Sequence, residues 1–576
     1  MYHCACRTWR ILCVAIAACV TLPAFAELDL SNVGPLNSNA ATDIASDNNP
    51  TLATNDDGMW IAVWSSEQDP DTASVGDPDI WFARSTDAGA TWSAAARLNT
   101  NAATDSATSE DSQPQIACYA STWVVVWIST DTLGDTVGED YDIFFSQSTD
   151  NGATWSAPAA LNSYATSDTA FDMQPRIVFS RGTISSKFVV AWESDTSLGD
   201  TIGVDNDIIY SISNDLGETW SAAAALNSNA ATDTGIDYAV ALAANDLGTV
   251  HAVWNSSETM GDTIGNDRDI FLSRSLDQGA TWQQLRVLND TATEDGDSQD
   301  FTPSIVSNGG ARWVVMWEST YDIDGEIGVD KDLFLAGTAD NGDGWTFFGA
   351  AMPNADQFKS AKTGGPNDDS GVMLSYSEKA NAFIAVFVST ADIPTPFPLS
   401  NAQPTIETDF DLLISYSTSG FFWSQPEPLH PLFHSDNRFD ELPTFVPDSE
   451  GNVVALWRST NSLDNTIGTD ADVLYAYGTL PGLLLLETPN GDEKWKRGNK
   501  QDIWWDSSTL DSGKVRINLL RDGDLVDTIK AKTKNDGAYK WKVPNNLPKG
   551  GGYQVEIIKK GNGAIRDVSY QDFKVK

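Results

Sequence analysis

The chain has 576 residues, 81 Asp and Glu against 35 Lys and Arg, and a formal net charge of −46. Such an acidic surface repels the phosphates of nucleic acids and of anionic membranes, and it favours cations and basic partners. The length exceeds what a single hydrophobic core usually holds, so we expect two or more domains.

The N-terminus shows the three parts of a secretory signal peptide. Two arginines precede the apolar run 11–22, and Ala24-Phe25-Ala26 follows as a small-residue cleavage site. We therefore expect residues 1–26 to be removed and the mature protein to be secreted or to lie at the cell surface. Of the five cysteines only Cys118 lies outside this leader, which leaves no pair for an intramolecular disulfide.

One eight-residue pattern recurs along residues 27–481. Ser-x-Asp-x-Gly-x-Thr-Trp stands at 85–92, 148–155, 213–220 and 275–282, and a fifth copy at 338–345 lacks the threonine. The final tryptophans follow one another at steps of 63, 65, 62 and 63 residues, and a fixed period of this kind indicates a repeat architecture. The repeated Asp, Gly and Trp residues are Asp87, Gly89 and Trp92; Asp150, Gly152 and Trp155; Asp215, Gly217 and Trp220; Asp277, Gly279 and Trp282; and Asp340, Gly342 and Trp345.

Within each period the sequence predicts strands only. Alternating β-branched and aromatic runs, such as 122–129 and 187–194, are separated by Gly, Asp, Asn and Pro, and four strands per period is the composition of a propeller blade. Seven second-strand endings can be counted, and Leu36-Asn37 matches the end of an outer strand that has no blade of its own. We therefore predict an all-β, seven-bladed β-propeller closed by its N-terminal strand, with a six-bladed ring as the alternative.

The eight-residue pattern is the Asp-box, and on it residues 28–480 resemble the sialidase-like propeller superfamily, also called bacterial neuraminidase repeat proteins. The resemblance implies that the box hairpins lie on one face of the ring and that any ligand binds the opposite face. Within a box the aspartate can accept backbone N–H groups and the glycine supplies a positive φ. We therefore interpret the box aspartates as structural residues.

A second repeated motif lies between the second and third strands. DTVGEDYDI, DTIGVDNDI, DTIGNDRDI, EIGVDKDL and NTIGTDADV begin at 135, 200, 262, 326 and 465, and the loops that leave the outer strands on the same face add further aspartates. Because calcium takes six to eight oxygen ligands, the motifs predict divalent-cation sites with Ca²⁺ as the candidate cofactor; the alternative is that Asp and Gly recur only because the turns recur. The candidate metal ligands are Asp135, Asp140, Asp142, Asp200, Asp205, Asp207, Asp262, Asp267, Asp269, Asp330, Asp332, Asp470 and Asp472. The first aspartate of each loop is expected to supply the third carboxylate.

The residues that a sialidase needs are poorly supplied. Such an enzyme requires arginines that hold the sugar carboxylate, a tyrosine nucleophile with a glutamate, and an aspartic acid as acid/base. The Phe/Tyr-Arg-Ile-Pro motif of the family is missing, and its nearest echo is Pro175-Arg176-Ile177. Arg176, Arg438 and Arg458 are the candidate substrate-binding residues. We predict no sialidase activity, and a sialidase-type exo-glycoside hydrolase and a purely structural surface module stay as alternatives to a binding protein.

Residues 482–576 have a different composition, with 18 Lys and Arg against 13 Asp and Glu, whereas residues 27–481 have 15 against 68. Alternating strands separated by Gly, Asn and Pro predict a small β-sandwich whose core includes Trp504, Trp505 and Trp541. The order Pro489-x-Gly491-x-x-x-Trp495, Gly537-x-Tyr539-x-Trp541 and Asp572-Phe573 resembles the immunoglobulin-like domain of the Ser-Thr-rich GPI-anchored membrane family, known from yeast cell-wall proteins of the glucan-assembly type.

Taken together, these features predict a secreted or cell-surface binding protein. Its acidic propeller face would bind a cation, a glycan or a protein, and its basic sandwich would attach it to a cell envelope. We expect a monomer that binds no nucleic acid. The longest apolar run outside the leader, 483–486, is far shorter than the roughly 20 residues of a membrane span.

Overall fold

The computed structural model describes residues 28–576 apart from 43, 70–73, 103–107, 167–168, 183–184, 262, 294, 323–329, 351–367, 391–409, 425, 431–438, 464–465, 469, 481, 490–492, 508–509, 511–512, 522, 562–564 and 570–571. The predicted signal peptide therefore lies outside the described residues. Strands are the only regular elements in the described chain, and no described segment forms a helix that could cross a membrane.

Residues 29–479 form seven antiparallel sheets of four strands each. The first strand, β1 (Asp29–Pro35), belongs to the last of them. Sheet 1 contains β2 (Asp47–Thr54), β3 (Trp60–Asp69), β4 (Ser74–Ser85) and β5 (Ala96–Arg97). Sheet 2 contains β6 (Asp111–Tyr119), β7 (Thr122–Ser129), β8 (Asp142–Ser148) and β9 (Ala159–Ala160), and sheet 3 contains β10 (Asp172–Ser180), β11 (Lys187–Ser194), β12 (Asp207–Ser213) and β13 (Ala224–Ala225).

The next four sheets repeat this order. Sheet 4 contains β14 (Asp237–Ala244), β15 (Val250–Ser256), β16 (Asp269–Ser275) and β17 (Arg286–Val287). Sheet 5 contains β18 (Asp300–Ser307), β19 (Trp313–Ser319), β20 (Asp332–Thr338) and β21 (Thr346–Ala350), and sheet 6 contains β22 (Asp369–Ser377), β23 (Ala382–Ser389), β24 (Asp411–Ser417) and β25 (Glu427–Pro428). Sheet 7 contains β26 (Asp440–Pro447), β27 (Asn452–Ser459) and β28 (Asp472–Thr479), and β1 pairs with β28 as its fourth strand. The prediction that the N-terminal strand completes the last sheet is confirmed.

The second strand of each sheet is the centre of the hydrophobic core. All eight residues of β7 are buried, because neighbouring sheets cover both of its faces. This explains why the second strands are almost continuously apolar instead of alternating. The packing also joins the last sheet to the first, since Trp60 and Trp64 of β3 share a cluster with Val454 and Leu456 of β27.

The Asp-boxes form the turns between the third and fourth strands. Asp150 accepts hydrogen bonds at Oδ1 from the Ser148 hydroxyl (2.8 Å) and the Thr154 N–H (2.9 Å), and at Oδ2 from the Thr154 hydroxyl (2.7 Å). These bonds lower the pKa of Asp150 to about 2. Hydrogen bonds likewise lower the pKa of the other four box aspartates, Asp87, Asp215, Asp277 and Asp340. The structure thus places these carboxylates in turns, bonded to their own loops.

The C-terminal residues form a sandwich of two sheets. One sheet contains β29 (Leu485–Thr488), β31 (Lys500–Asp506) and β34 (Ala538–Lys542). The other contains β30 (Lys494–Trp495), β37 (Phe573–Val575), β35 (Gly550–Lys559), β32 (Lys514–Arg521), β33 (Asp524–Lys534) and β36 (Arg566–Val568), which pairs with β35. Trp505 and Trp541 lie in the core, as predicted, but Trp504 is 50% exposed, so its assignment to the core was wrong.

Candidate functional site

The ends of the sheets opposite the Asp-boxes gather aspartates from every sheet. The first and third strands of an antiparallel sheet run in the same direction, so they start at the same edge. An aspartate stands at or near each of these starts, and all are buried except the half-buried Asp411. Those of the first strands are Asp47, Asp111, Asp172, Asp237, Asp300, Asp369 and Asp440, and those of the third strands are Asp79, Asp142, Asp207, Asp269, Asp332, Asp411 and Asp472.

An asparagine bridges two of these aspartates at several junctions between sheets. Asn162 donates from Nδ2 to Asp142 of sheet 2 (2.6 Å) and to Asp172 of sheet 3 (2.6 Å), and its Oδ1 accepts the Ile143 N–H (3.2 Å). Trp192 Nε1 donates a further bond to Asp172 (2.9 Å). Asn99 and Asn289 make the same two bonds to carboxylates. The asparagine therefore links consecutive sheets, a role that the sequence analysis did not assign.

Burial raises the pKa of the first-strand aspartates of sheets 3, 4 and 5. It raises the pKa of Asp172 well above the usual value, and the charge of Asp142 adds to the shift. Burial likewise raises the pKa of Asp237 and that of Asp300 well above the usual value. Each network thus holds carboxylates that are stable only as protonated groups, as hydrogen-bond acceptors or beside a positive charge.

Two groups of three carboxylates stand at successive junctions. The Asp205 cluster consists of Asp205, Asp207 and Asp233, and the Asp267 cluster consists of Asp267, Asp269 and Asp295. In each cluster one oxygen from every member lies within 4.8 Å of the others, a geometry that could hold a metal ion. These are the two such groups that occur among the described residues.

The electrostatics of both clusters follow from burial and like charge. Burial is the largest cause that raises the pKa of Asp207 to about 7, and the charges of Asp233 and Asp205 add to it. The pKa of Asp233 rises to about 6 through burial and the charge of Asp205. The Asp267 cluster repeats these shifts, with the pKa of Asp269 at about 7 and that of Asp295 at about 6.

The structure brings together some of the predicted metal ligands and not others. Asp205 with Asp207 and Asp267 with Asp269 lie together, as the alternate spacing predicts. The third carboxylate is Asp233 or Asp295, from the segment after the outer strand. The expected third ligands Asp135 and Asp200 are instead exposed turn residues with φ of 65° and 63°, and they belong to neither cluster. Asp262 lies outside the described residues, and Asp140, Asp142, Asp330, Asp332, Asp470 and Asp472 belong to no group of three within the described chain.

A glycine gives the carboxylate of each loop its position. A Cβ on Gly203 would lie 2.1 Å from Asp205 Oδ1, and a Cβ on Gly265 would lie 2.0 Å from Asp267 Oδ1. The Gly203 N–H donates to the carbonyl of Ala230 (2.9 Å), which fixes the loop against the segment that contains Asp233. The repeated glycine of the loop motif is therefore needed because the aspartate two residues later folds back over it.

Two of the three candidate substrate-binding arginines are described by the structure, and both contact groups of the protein. Arg176 donates to the carbonyl of Pro175 (3.0 Å). Burial lowers the pKa of Arg176, and the negative charge of Glu193 opposes that shift. Arg458 of sheet 7 forms an ion pair with Glu441 (3.2 Å) and donates to Asn48 Oδ1 (2.8 Å). Arg438 lies outside the described residues. The two described arginines stand on different sheets and form no shared clamp for a carboxylate in the described chain.

The repeated sheets, their Asp-boxes and the C-terminal sandwich define an Asp-box propeller protein with an appended immunoglobulin-like domain. Residues 488–575 match the family model of the Kre9/KNH-like N-terminal immunoglobulin-like domain, which confirms the resemblance drawn for the C-terminal region. No curated protein matches the chain in sequence.

Solved structures resemble the chain at low sequence identity. A Dyadobacter fermentans protein of unknown function is 10% identical, with 78% of this chain and 100% of that chain covered and a TM-score of 0.41. The NanB sialidase from Streptococcus pneumoniae is 10% identical, with 77% and 69% covered and a TM-score of 0.39. A Trypanosoma rangeli sialidase is 9% identical, with 94% and 90% covered and a TM-score of 0.38.

Proposed function

We propose that the protein is a secreted or cell-surface binding protein, in which an acidic seven-bladed propeller presents a ligand-binding face and the basic immunoglobulin-like domain attaches the molecule to an anionic surface polymer. The observation that carries the proposal is the division of charge between two domains with separate cores. Residues 27–481 have a net charge of −53, from 15 basic and 68 acidic residues, and residues 482–576 have +5, from 18 and 13. Opposite charges on two domains suit them to different partners.

Two observations support a closed ring of seven blades. Among the described residues there are seven four-stranded sheets, and sheet 7 packs against sheet 1 through the shared cluster of Trp60 and Val454. The pairing of β1 with β28 joins the two ends of the propeller sequence. Closure of this kind covers edge strands that would otherwise be open to aggregation.

The surface of β33 is the best-placed attachment surface of the sandwich. β33 stands at the end of its sheet and pairs with β32 alone among the described strands. Lys530, Lys532 and Lys534 are exposed on it at alternate positions. A β-bulge between Lys530 and Thr533 interrupts the alternation of β33, so the three lysines do not share one face. They nevertheless stand close together along one exposed edge strand, where their positive charges can contact an anionic polymer.

Reversing these three charges is expected to abolish attachment. The full mature chain should bind beads coated with dextran sulfate at low salt, bind neutral dextran beads much less, and be released by 0.5 M NaCl, because exposed charges are screened. Lys530→Glu/Lys532→Glu/Lys534→Glu should lower the bound fraction at least about tenfold, since three contacts become repulsive.

The matched control places the same change on the other sheet. Lys500→Glu/Lys540→Glu/Lys542→Glu alters three exposed lysines of β31 and β34, with the same change in net charge. This variant should keep most of the binding. Equal losses in the two variants would show that net charge, and not the surface of β33, controls attachment.

We also expect the purified protein to release no sialic acid from a fluorogenic sialoside. Arg176 and Arg458 are already bonded to protein groups, and an acidic face repels an anionic sugar. The tyrosines that a sialidase of this sequence would use as nucleophile are Tyr238, Tyr376 and Tyr416. Tyr416 is buried, Tyr376 donates its hydroxyl proton to Asn381 (2.8 Å), and the Tyr238 ring lies under Arg268 (5.1 Å). Turnover that disappears in Arg176→Ala would establish the hydrolase alternative instead.

A further inference from the structure

We propose that the Asp205 cluster and the Asp267 cluster are two divalent-cation sites of the calcium type, each joining the loop between the second and third strands of one sheet to the segment that leads to the next sheet. The inference rests on the proposed use of the acidic face for binding. It is independent of the proposed attachment through β33.

The cluster oxygens lack the partners that buried acceptors require. Asp205 Oδ2, Asp207 Oδ2 and Asp233 Oδ1 are shielded from solvent and accept no hydrogen bond from the described residues. In the second cluster both oxygens of Asp267 lack a hydrogen-bond donor among the described residues, and the residue is only 3% exposed. A buried acceptor without a donor destabilises the fold, and three converging acceptors of like charge do so more strongly. A bound cation satisfies all of them together.

Both sites are built by the backbone and not by chance contact of mobile side chains. Gly203 and Gly265 leave room for the carboxylates of Asp205 and Asp267 to fold back, as described above. Asp207 is held by Asn227, whose Nδ2 donates to its Oδ1 at 2.6 Å, while its Oδ2 accepts no hydrogen bond from the described residues. The same arrangement recurs at the next junction, where Asn289 donates to Asp269 Oδ1 at 2.7 Å.

The donor set indicates which cation fits. All six side chains offer carboxylate oxygens, the hard ligands that Ca²⁺ and Mg²⁺ prefer, and none offers the nitrogen or sulfur typical of zinc sites. Beside the Asp205 cluster, Asn229 Nδ2 donates to Asp233, and the buried amide oxygen of Asn229 accepts no hydrogen bond from the described residues. Several carboxylate oxygens without the arrangement of a strict octahedron suit the six to eight ligands of Ca²⁺ better than Mg²⁺.

The position of the third ligand explains what a cation would do for the fold. Asp205 belongs to the loop between β11 and β12 of sheet 3, and Asp207 is the first residue of β12. Asp233 lies between β13 and β14, on the way to sheet 4. The Asp267 cluster connects sheet 4 with the segment before sheet 5 in the same way. A cation at either site would therefore bind two segments that are close together only in the folded protein. Because it would bind the folded state and not the unfolded chain, it would stabilise the fold.

The test uses the full mature chain, freed of metal by dialysis against a chelator. Its melting temperature is measured in CaCl₂, in MgCl₂ and in NaCl of the same ionic strength. CaCl₂ at a hundredfold excess over Kd should raise the melting temperature by at least about 4 °C more than NaCl does. MgCl₂ should give a smaller rise.

Two variants connect this rise to the assigned residues. Asp233→Asn/Asp295→Asn should melt at or above the parent temperature in chelator, because one of three like charges is removed at each site, and should lose the calcium-specific rise. Calorimetric titration should show two fewer bound Ca²⁺ per chain. Asp200→Asn, which removes an exposed acid of the neighbouring loop, should keep both the rise and the stoichiometry.

Three results would overturn the assignment. They are equal melting in CaCl₂ and NaCl, an undiminished calcium rise in the double variant, and loss of the rise in Asp200→Asn. Failure of the chain to bind dextran sulfate while the calcium rise is present would contradict only the proposed attachment, so the two proposals fail separately.

Discussion

Replacing Asn162 by alanine is expected to destabilise the propeller by about 2–5 kcal/mol, because two buried carboxylates each lose one donor at once. Asn162 Nδ2 lies 2.6 Å from acceptors on both Asp142 and Asp172, and its amide oxygen takes the Ile143 N–H. The two hydrogen bonds that alanine removes join sheet 2 to sheet 3. Urea unfolding of the full mature chain measures it as a lower midpoint with an unchanged slope.

Asn162→Asp tests whether the destabilisation comes from the lost hydrogen bonds or from the lost side-chain volume. The substitution keeps the shape of the side chain but turns a donor into a third carboxylate beside Asp142 and Asp172, so it should destabilise at least as much as alanine does at pH 7.5. The matched control is Asn214→Ala, because Asn214 is an exposed asparagine of the Asp-box turn in sheet 3. A midpoint for Asn162→Ala that equals the control would show that the bridge contributes nothing.

The sequence was sufficient for features that depend on near neighbours in the chain. Strand period and the Asp-box are local, so the four-stranded sheets and the bonds of Asp150 follow from short stretches of sequence. The prediction for Trp504 failed although the needed signal was also local. Successive residues of a strand point to opposite faces, and the buried neighbours Ile503 and Trp505 place Trp504 on the exposed face of β31.

The carboxylate clusters depend on residues that are distant in the chain. Asp205 and Asp233 are 28 residues apart, and the outer strand of sheet 3 lies between them. Spacing within the loop motif made Asp200 the nearer choice for a third ligand, but its turn carries it into solvent. The bridging asparagines have a regular signal in the sequence, since Asn99 follows Asp79 and Asn162 follows Asp142 by 20 residues. Only the structure shows that each pair is in contact.

His251 interrupts a regular packing position between sheets. The glycine of each of the five Asp-boxes, and Gly420 at the corresponding turn of sheet 6, packs on the second strand of the preceding sheet. In five of these six cases the side chain beneath the glycine is aliphatic: Val454, Ile61, Val124, Val189 or Val314. In the remaining case a Cβ on Gly342 would lie 2.4 Å from His251 Nε2. The imidazole is 0% exposed, and neither ring nitrogen bonds to any of the described residues.

This environment makes the imidazole a source of acid sensitivity. Burial, and after it the charges of Arg274 and Arg286, lower the pKa of His251 to about 3. The unfolded chain binds this proton near the ordinary pKa of about 6.5, so between these values the unfolded state binds more protons than the folded state. Above about pH 6.5 His251 is neutral in both states and has no effect on the pH dependence of stability. Below that pH, and down to the folded-state pKa, the free energy of unfolding falls by about 1.4 kcal/mol for each pH unit.

His251→Val should therefore stabilise the protein, and the more so the lower the pH. At pH 7.5 we expect a gain of about 1 kcal/mol, because two unsatisfied ring nitrogens leave the core while the contact with Trp313 is lost. The difference between variant and parent should widen by about 1.4 kcal/mol for each unit between pH 6 and pH 4, as measured by urea unfolding at each pH. The buried aspartates, whose raised pKa values act in the opposite direction, are common to both proteins and cancel. Val189→His, which puts an imidazole under Gly279, should create the same pH dependence at a second junction. A difference between His251→Val and the parent that is constant with pH would show that His251 titrates normally in the folded protein.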